Sequence, residues 1–324
     1  MKISIIIPVY NAEKFLKKSL GSLAMQNCHD FEVVFVDDCS TDGSLAILEE
    51  FSRTSGLECK IIRQSKNGGV AAARNRALDA AEGEYLMWLD ADDTLAPEAV
   101  SKAVVTAMET GADIIGWDWT LGFDHNGRYM RQADYDKPVQ ALKNMMGGIM
   151  RWNLWLFMIR RSIVEKNGIR FIPGANMGED MMFVMKAFLC SSSSVQIHKS
   201  LYCYNAVSAG SISRQFSKER RQEVSCNLED VQQALGNSEY AGELFPYLDY
   251  LKLFIKLPLL MSSDRADYRI WYNWMPESNK AAMSNRMVPM RTRLVQWMAS
   301  HRLWIGVWAY YIFVYKFVYG LIYR

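Results

Sequence analysis

The sequence lacks any C-x-x-C pair. Its six cysteines (Cys28, Cys39, Cys59, Cys190, Cys203 and Cys226) are spaced too widely for a zinc ribbon or a thioredoxin-type motif. Histidine is scarce too. His29, His125, His198 and His301 have no metal-ligand spacing, so a histidine-built metal centre is not expected. An excess of either sign of charge is missing: 37 Lys and Arg stand against 35 Asp and Glu, and the formal net charge of +2 gives no electrostatic case for a nucleic-acid partner. No G-x-G-x-x-G occurs, and with it goes the dinucleotide-binding fingerprint. Met1-Lys2-Ile3-Ser4 runs straight into an apolar strand, with no signal-peptide core or small-residue cleavage site. The expectation is a cytoplasmic chain whose cysteines are buried thiols. No internal repeat or low-complexity tract interrupts the 324 residues.

Half of the residues are hydrophobic and 22% are charged, enough to bury a large core. Ile3 to Val9 is a β-branched run that suits a strand buried on both faces of a parallel sheet. Asn11 is placed to cap the helical pattern of Phe15, Leu16, Leu20 and Leu23. Glu32 to Val36 is a second buried strand. It stops at Asp37-Asp38, and Ser40, Thr41 or Asp42 is expected to cap the helix that follows. Further strands are expected at 60–63, 84–89 and 113–119, with paired strands over 195–204. Strand and helix alternate, so the fold class is α/β with a mainly parallel sheet and flanking helices. In such sheets ligands bind outside the carboxyl ends of the strands. The acidic residues fall where the strands stop, which locates a site.

Asp90-Ala91-Asp92, with Asp93 beside it, ends a buried strand. Two carboxylates at a strand tip can hold Mn²⁺ or Mg²⁺, which grips the oxygens of a diphosphate and stabilises a leaving group. The competing reading is a solvated turn with Asp93 as a helix cap. Asn67-Gly68-Gly69 leads into a helix bearing Arg74, where glycine lets backbone approach a ligand and arginine can pair with phosphate. Arg76 fits a solvated helix face equally well. Glu179-Asp180 can take the proton from an attacking hydroxyl, or can simply favour a helix N-terminus.

The segments SIIIPVYNAEKFL, FEVVFVDDCSTDGS, NGGVAAARNRAL, GEYLMWLDADD and GEDMMF, in this order, resemble the family 2 glycosyltransferases of bacterial surface-polysaccharide type. The resemblance runs from residue 3 to about residue 215. It implies the GT-A fold, a Rossmann-like α/β sheet, and an inverting, metal-dependent hexosyltransferase using a nucleotide-diphosphate sugar, with UDP favoured. Position by position it makes Pro8, Tyr10 and Asp38 uracil-side contacts, with Asp37 adjacent on the donor side. Arg74 lies near the diphosphate, and Asp90 and Asp92 are the ribose and metal pair, with Asp93 a third acid beside the metal. Asp180 is the general base, with Glu179 its neighbour. Trp155 shapes the acceptor side, and Tyr202, Tyr204, Ser211 and Ser213 belong to a segment that closes over the diphosphate. Two positions depart from the pattern. Cys39 replaces a usual glycine, and Asn205 stands where a basic residue is frequent, with Arg214 a candidate substitute.

The implied organisation is a glycosyltransferase domain over 1–215, with a nucleotide-binding half (1–110) and an acceptor half (111–215). A helical extension follows over 216–324. Leu303 to Tyr323 is almost wholly apolar and aromatic, yet Lys316 interrupts it, and Arg291, Arg293, Arg302 and Arg324 flank it. A helix over about 294–324 lying in a membrane surface fits better than a span. Peripheral attachment to the inner face of the cell membrane is therefore expected, with a glycan or lipid-linked acceptor. Two other readings compete: a non-catalytic sugar-nucleotide-binding scaffold, and a nucleotidyltransferase. The intact acids count against the first. The absence of an early glycine-rich, lysine-containing phosphate loop counts against the second.

Overall fold

The computed structural model describes residues 2–123, 126–206 and 217–314. Ser211, Ser213, Arg214 and the last ten residues of the expected membrane-surface helix lie outside them. The chain divides into two compact units, Met1–Val139 with Trp152–Ala234, and Gln140–Arg151 with Leu235–Arg324.

In chain order the elements are β1 (Ile3–Val9), α1 (Glu13–Ala24), β2 (Phe31–Asp37), α2 (Ser44–Thr54), β3 (Glu58–Arg63), α3 (Val70–Ala80), β4 (Tyr85–Trp88), β5 (Thr94–Leu95), α4 (Ala99–Thr110), β6 (Ile114–Gly122) and β7 (Gly127–Met130). There follow α5 (Pro138–Met146), β8 (Phe157–Arg160), α6 (Arg161–Lys166), α7 (Glu179–Leu189), β9 (Ser194–Asn205) and α8 (Lys218–Gly236). The last helices are α9 (Ala241–Leu244), α10 (Leu248–Lys256), α11 (Arg265–Asn273), α12 (Met290–Ser300) and α13 (Trp304–Tyr310).

The strands form one mixed sheet in the order β3-β2-β1-β4-β8-β6-β9-β5, with β7 paired to β6. β1 to β4 are mutually parallel, and β8 joins this half antiparallel to β4. Ile3, Ile5, Ile6, Ile7, Val33, Val34 and Phe35 are fully buried, as a strand covered on both faces requires. Each such side chain contributes roughly 1.5–3 kcal/mol of transfer free energy. The chain builds outward from β1 through β2 to β3, then returns to place β4 on the other side of β1. The reversal leaves a crevice at the carboxyl ends of β1 and β4.

The opposite end of these strands is closed by packing. Gly83 lies so near β1 that a Cβ there would sit 2.5 Å from the Ser4 nitrogen. Buried Glu32 accepts from the Ser4 hydroxyl (2.5 Å) and the Glu82 amide (2.6 Å). Lys60 lies between Glu32 and Glu82 at 2.8 and 2.9 Å, so these carboxylates form an ion-pair cluster and not a cation site.

The paired strands expected over 195–204 are one strand, β9. Its parallel pairing to β6 jumps from Trp117–Ile197 to Asp118–Ser200, which puts His198 and Lys199 outside the ladder. A local bulge therefore mimics, in the residue pattern, the break between two strands.

In the second unit Gly148 packs against the Phe254 ring, and Asn285 donates to the Gly147 carbonyl at 3.0 Å. Lys256 is fully buried. It donates to the carbonyls of Trp274 and Met275 and to Asn279 Oδ1 (3.1, 3.2 and 2.6 Å), over the Trp271 ring at 4.2 Å. Burial lowers its pKa to about 7.

Candidate active site

Two loops meet at the carboxyl ends of β1 and β2. Asn11 does not cap α1 as expected. It adopts φ +49°, and its side-chain oxygen accepts from the Thr41 amide at 2.8 Å. Asp42 serves both helices instead, accepting from the Glu13 amide (3.1 Å) and the Ser44 amide (3.0 Å). Cys39, where glycine is usual, has φ +63°. The left-handed geometry explains why glycine suits that position. Tyr10 is 51% exposed and presents its ring to solvent beside these loops.

Asp37 and Asp38 are both buried. Asp37 accepts from the Ser40 amide at 3.2 Å and lies 3.6 Å from Arg63. Asp38 accepts from Gln64 Nε2 (2.5 Å) and from the amides of Gly68 (2.7 Å) and Gly69 (2.8 Å). The Asp-Asp and Asn-Gly-Gly motifs are therefore one structural unit. Gly69 has φ +81°, and a Cβ there would lie 2.5 Å from the Asn176 amide group, so glycine is required on both counts.

Arg74 projects from α3 into the interior and is 3% exposed. Its Nη1 donates to Asp180 Oδ1 (2.6 Å) and Glu179 Oε1 (2.9 Å), and its Nη2 lies 3.4 Å from Asp90 Oδ1. The guanidinium also sits 5.5 Å from the Phe171 ring centre. Asn75 holds that ring's backbone by two hydrogen bonds, 2.9 and 3.0 Å. Arg74 thus joins the acid pair at the start of α7 to the first acid after β4. The three carboxylates hold its pKa above the ordinary value despite burial. Any phosphate contact by Arg74 must share the guanidinium with them. Burial, and the neighbouring Asp180, push Glu179 up to about 8, and burial pushes Asp90 up to about 6. Asp180 Oδ2 accepts from the Leu154 amide at 3.1 Å.

The three acids after β4 diverge in environment. Asp93 is buried and accepts from the Tyr202 hydroxyl (2.7 Å) and the Asn205 amide (2.7 Å). Burial raises its pKa to about 8. Each of its oxygens accepts one of these protein hydrogen bonds. Asp90 keeps 32% of its side chain exposed. Asp92 makes no hydrogen bond or ion pair among the described residues. The Tyr202 hydroxyl also accepts from the Asp90 amide at 3.2 Å, and the Tyr202 ring stacks on Trp155 at 4.3 Å. Both rings are buried, so Tyr202 braces the acidic turn from beneath, and Trp155 is its packing partner.

A cavity of about 440 Å³ opens beside Asp92 and Asp93, walled by Phe15 and Lys18 of α1, Thr94 of β5 and Asn205 of β9. Sequence reasoning missed Lys18, Gln64, Phe171 and Asn176. Of these, Asn176 accepts from the Ala71 amide at 3.1 Å across 105 positions, a pairing with no local signal.

The sequence model of Glycosyl transferase family 2 matches residues 4–186. The chain is 32% identical over 191 residues to the poly(ribitol-phosphate) β-N-acetylglucosaminyltransferase TarS of Staphylococcus aureus, an overlap of 58% of this chain and 33% of that protein. It therefore spans about a third of the length of that curated relative. A crystal structure of S. aureus TarS 1-349 in complex with UDP-GlcNAc superposes with TM-score 0.74 at 22% identity, covering 98% of this chain and 92% of that one. The mannosyltransferase PcManGT from Pyrobaculum calidifontis, in complex with GDP-Man and Mn²⁺, has TM-score 0.58 at 17% identity, covering 98% and 87%. These two likenesses are of fold.

Proposed function

Since the chain belongs to glycosyl transferase family 2, we propose that it transfers a sugar from a nucleotide-diphosphate donor to an acceptor hydroxyl, with inversion. The observation that carries this reading is the Arg74 hub. It holds a candidate base, Asp180, and a candidate metal-side acid, Asp90, at opposite ends of one guanidinium. The acceptor oxygen attacks the anomeric carbon, its proton passes to Asp180, and the bond to the diphosphate oxygen breaks. Arg74 and the Leu154 amide keep the Asp180 carboxylate oriented, and each oxygen retains a lone pair for the incoming hydroxyl. Pro8, Tyr10 and the Asp38-braced loop form the base side.

The residues fit a divalent cation. Asp92 is uncommitted and Asp90 is partly exposed, whereas Asp93 is engaged with Tyr202 and Asn205. Mn²⁺ or Mg²⁺ held there would neutralise charge on the departing diphosphate. Nucleoside-diphosphate release from a panel of sugar nucleotides tests the reading. Asp92→Ala is expected to lower metal-stimulated release by roughly 10²-fold or more. Release that ignores both added metal and this substitution would remove the metal assignment.

UDP as the donor nucleotide, and a surface glycan or polyol polymer as the acceptor class, are supported by the names borne by TarS and its complex. The division into a transferase domain at 1–215 and a helical extension belongs to the same proposal. So does peripheral attachment at the inner membrane face. Leu294, Trp297, Leu303, Ile305, Trp308 and Phe313 of the second unit are exposed. Arg265 and Arg302 lie against the rings of Trp308 and Tyr272, at 5.0 and 4.4 Å. Apolar and aromatic groups mixed with arginine suit a headgroup interface. Among the described residues no helix is long and apolar enough to cross a membrane. Deleting residues 303–324 is expected to move the protein from pelleted membranes to the supernatant. Undiminished sedimentation would refute the attachment.

A further inference from the structure

We propose that Lys18 supplies the positive charge that the donor's diphosphate meets across the cavity from Asp92; this rests on the nucleotide-sugar reading above. Asp92 and Lys18 line the same cavity of about 440 Å³. Neither makes a hydrogen bond or ion pair among the described residues. An acid and an amine that share a cavity without pairing leave room between them for a group that satisfies both. A diphosphate with its divalent cation is such a group. Asp92 would hold the cation, and the Lys18 ammonium would be left for the outer phosphate oxygens.

The charge balance of the site asks for such a residue. Asp92 and Asp93 line the cavity, and the neighbouring Asp90, Glu179 and Asp180, outside its lining, already engage Arg74. Once the glycosyl bond breaks, the nucleoside diphosphate carries more negative charge than one divalent cation cancels. Asn205, at the position where a basic residue is frequent, lines the same cavity and brings no charge. Lys18 reaches that space from α1. Its position on the helix is set by Phe15, one turn earlier, which lines the same wall. Lys17, the adjacent lysine on α1, does not line the cavity and is a natural control. A lysine acts here as a point charge on a flexible stem, suited to a group whose charge grows during the reaction.

Calorimetric titration of the full chain with inorganic pyrophosphate, UDP and GDP, each with Mn²⁺, tests the assignment. Lys18→Ala is expected to weaken pyrophosphate, and whichever nucleotide binds, by on the order of tenfold. Lys18→Arg should stay within about threefold of the wild type, and Lys17→Ala should match it. Binding by Lys18→Ala equal to the wild type overturns the proposal and leaves the nucleotide-sugar reading intact. An equal loss in Lys17→Ala also overturns it, because the effect then belongs to the charge of the helix and not to the cavity. If the wild type binds none of the three ligands, the nucleotide-sugar reading falls, and the proposal falls with it.

Discussion

Asp180→Asn is expected to cut sugar transfer by on the order of 10³-fold while nucleotide binding persists, in line with the loss of a positioned general base. The substitution keeps the shape of the side chain and can keep an acceptor for the Leu154 amide, 3.1 Å away in the wild type. It removes the anion that pairs with Arg74 Nη1 at 2.6 Å and the lone pair basic enough to take a proton. Glu179 shares that guanidinium at 2.9 Å, and burial favours its protonated form. Glu179 therefore already holds a proton near neutral pH and is not free to take the acceptor's, so Glu179→Gln should be milder. Single-turnover transfer with both variants separates the roles. Asp180→Asn within tenfold of the wild type would pass the base assignment to another group.

Arg74→Met should cost about 3–5 kcal/mol of stability, the usual penalty for breaking a buried ion pair and leaving its partners uncompensated. The loss should depend on pH. Glu179 and Asp90 titrate at about 8 and about 6 in the folded chain, above the roughly 4 of exposed carboxylates. The folded state thus binds more protons than the unfolded state across this range. The stability linked to those protons is complete below about pH 4 and is lost as pH rises through about 8. Without Arg74 the carboxylates favour their protonated forms still more strongly. Thermal melts should therefore show a wider gap between wild type and Arg74→Met at pH 8 than at pH 5. An equal gap at both would mean that Arg74 stabilises through packing against Phe171 and not through charge.

Much of the first half was legible because its strands are buried on both faces, so β1 and β2 appear as unbroken apolar runs that end in polar residues. The crevice followed from where those runs stop. What was not legible depends on contacts distant in sequence. The tie of Asp38 to Gln64 and to the Gly68 and Gly69 amides spans 26 to 31 positions and has no local signal. The bond from the Tyr202 hydroxyl to Asp93 likewise spans 109 positions and could not be read locally. Lys14, Lys17 and Lys18 all look like solvated charge on α1, and only the cavity distinguishes the last. Cys39 was visible as a missing glycine, and its backbone angle supplies the reason.

The interrupted course of the second unit has a consequence for synthesis. Gln140–Arg151 belongs with Leu235–Arg324, and the partners of the early segment emerge about 80 residues later. At typical elongation rates of about 5–20 residues per second the delay is on the order of ten seconds. Leu142, Met145, Met146 and Met150, buried in the finished fold, wait through it on the nascent chain. The preceding strands have time to assemble in that interval. The ribosome thus imposes an order of events: the mixed sheet can form first, and the helical unit closes only after the segment from Leu235 onward has been made.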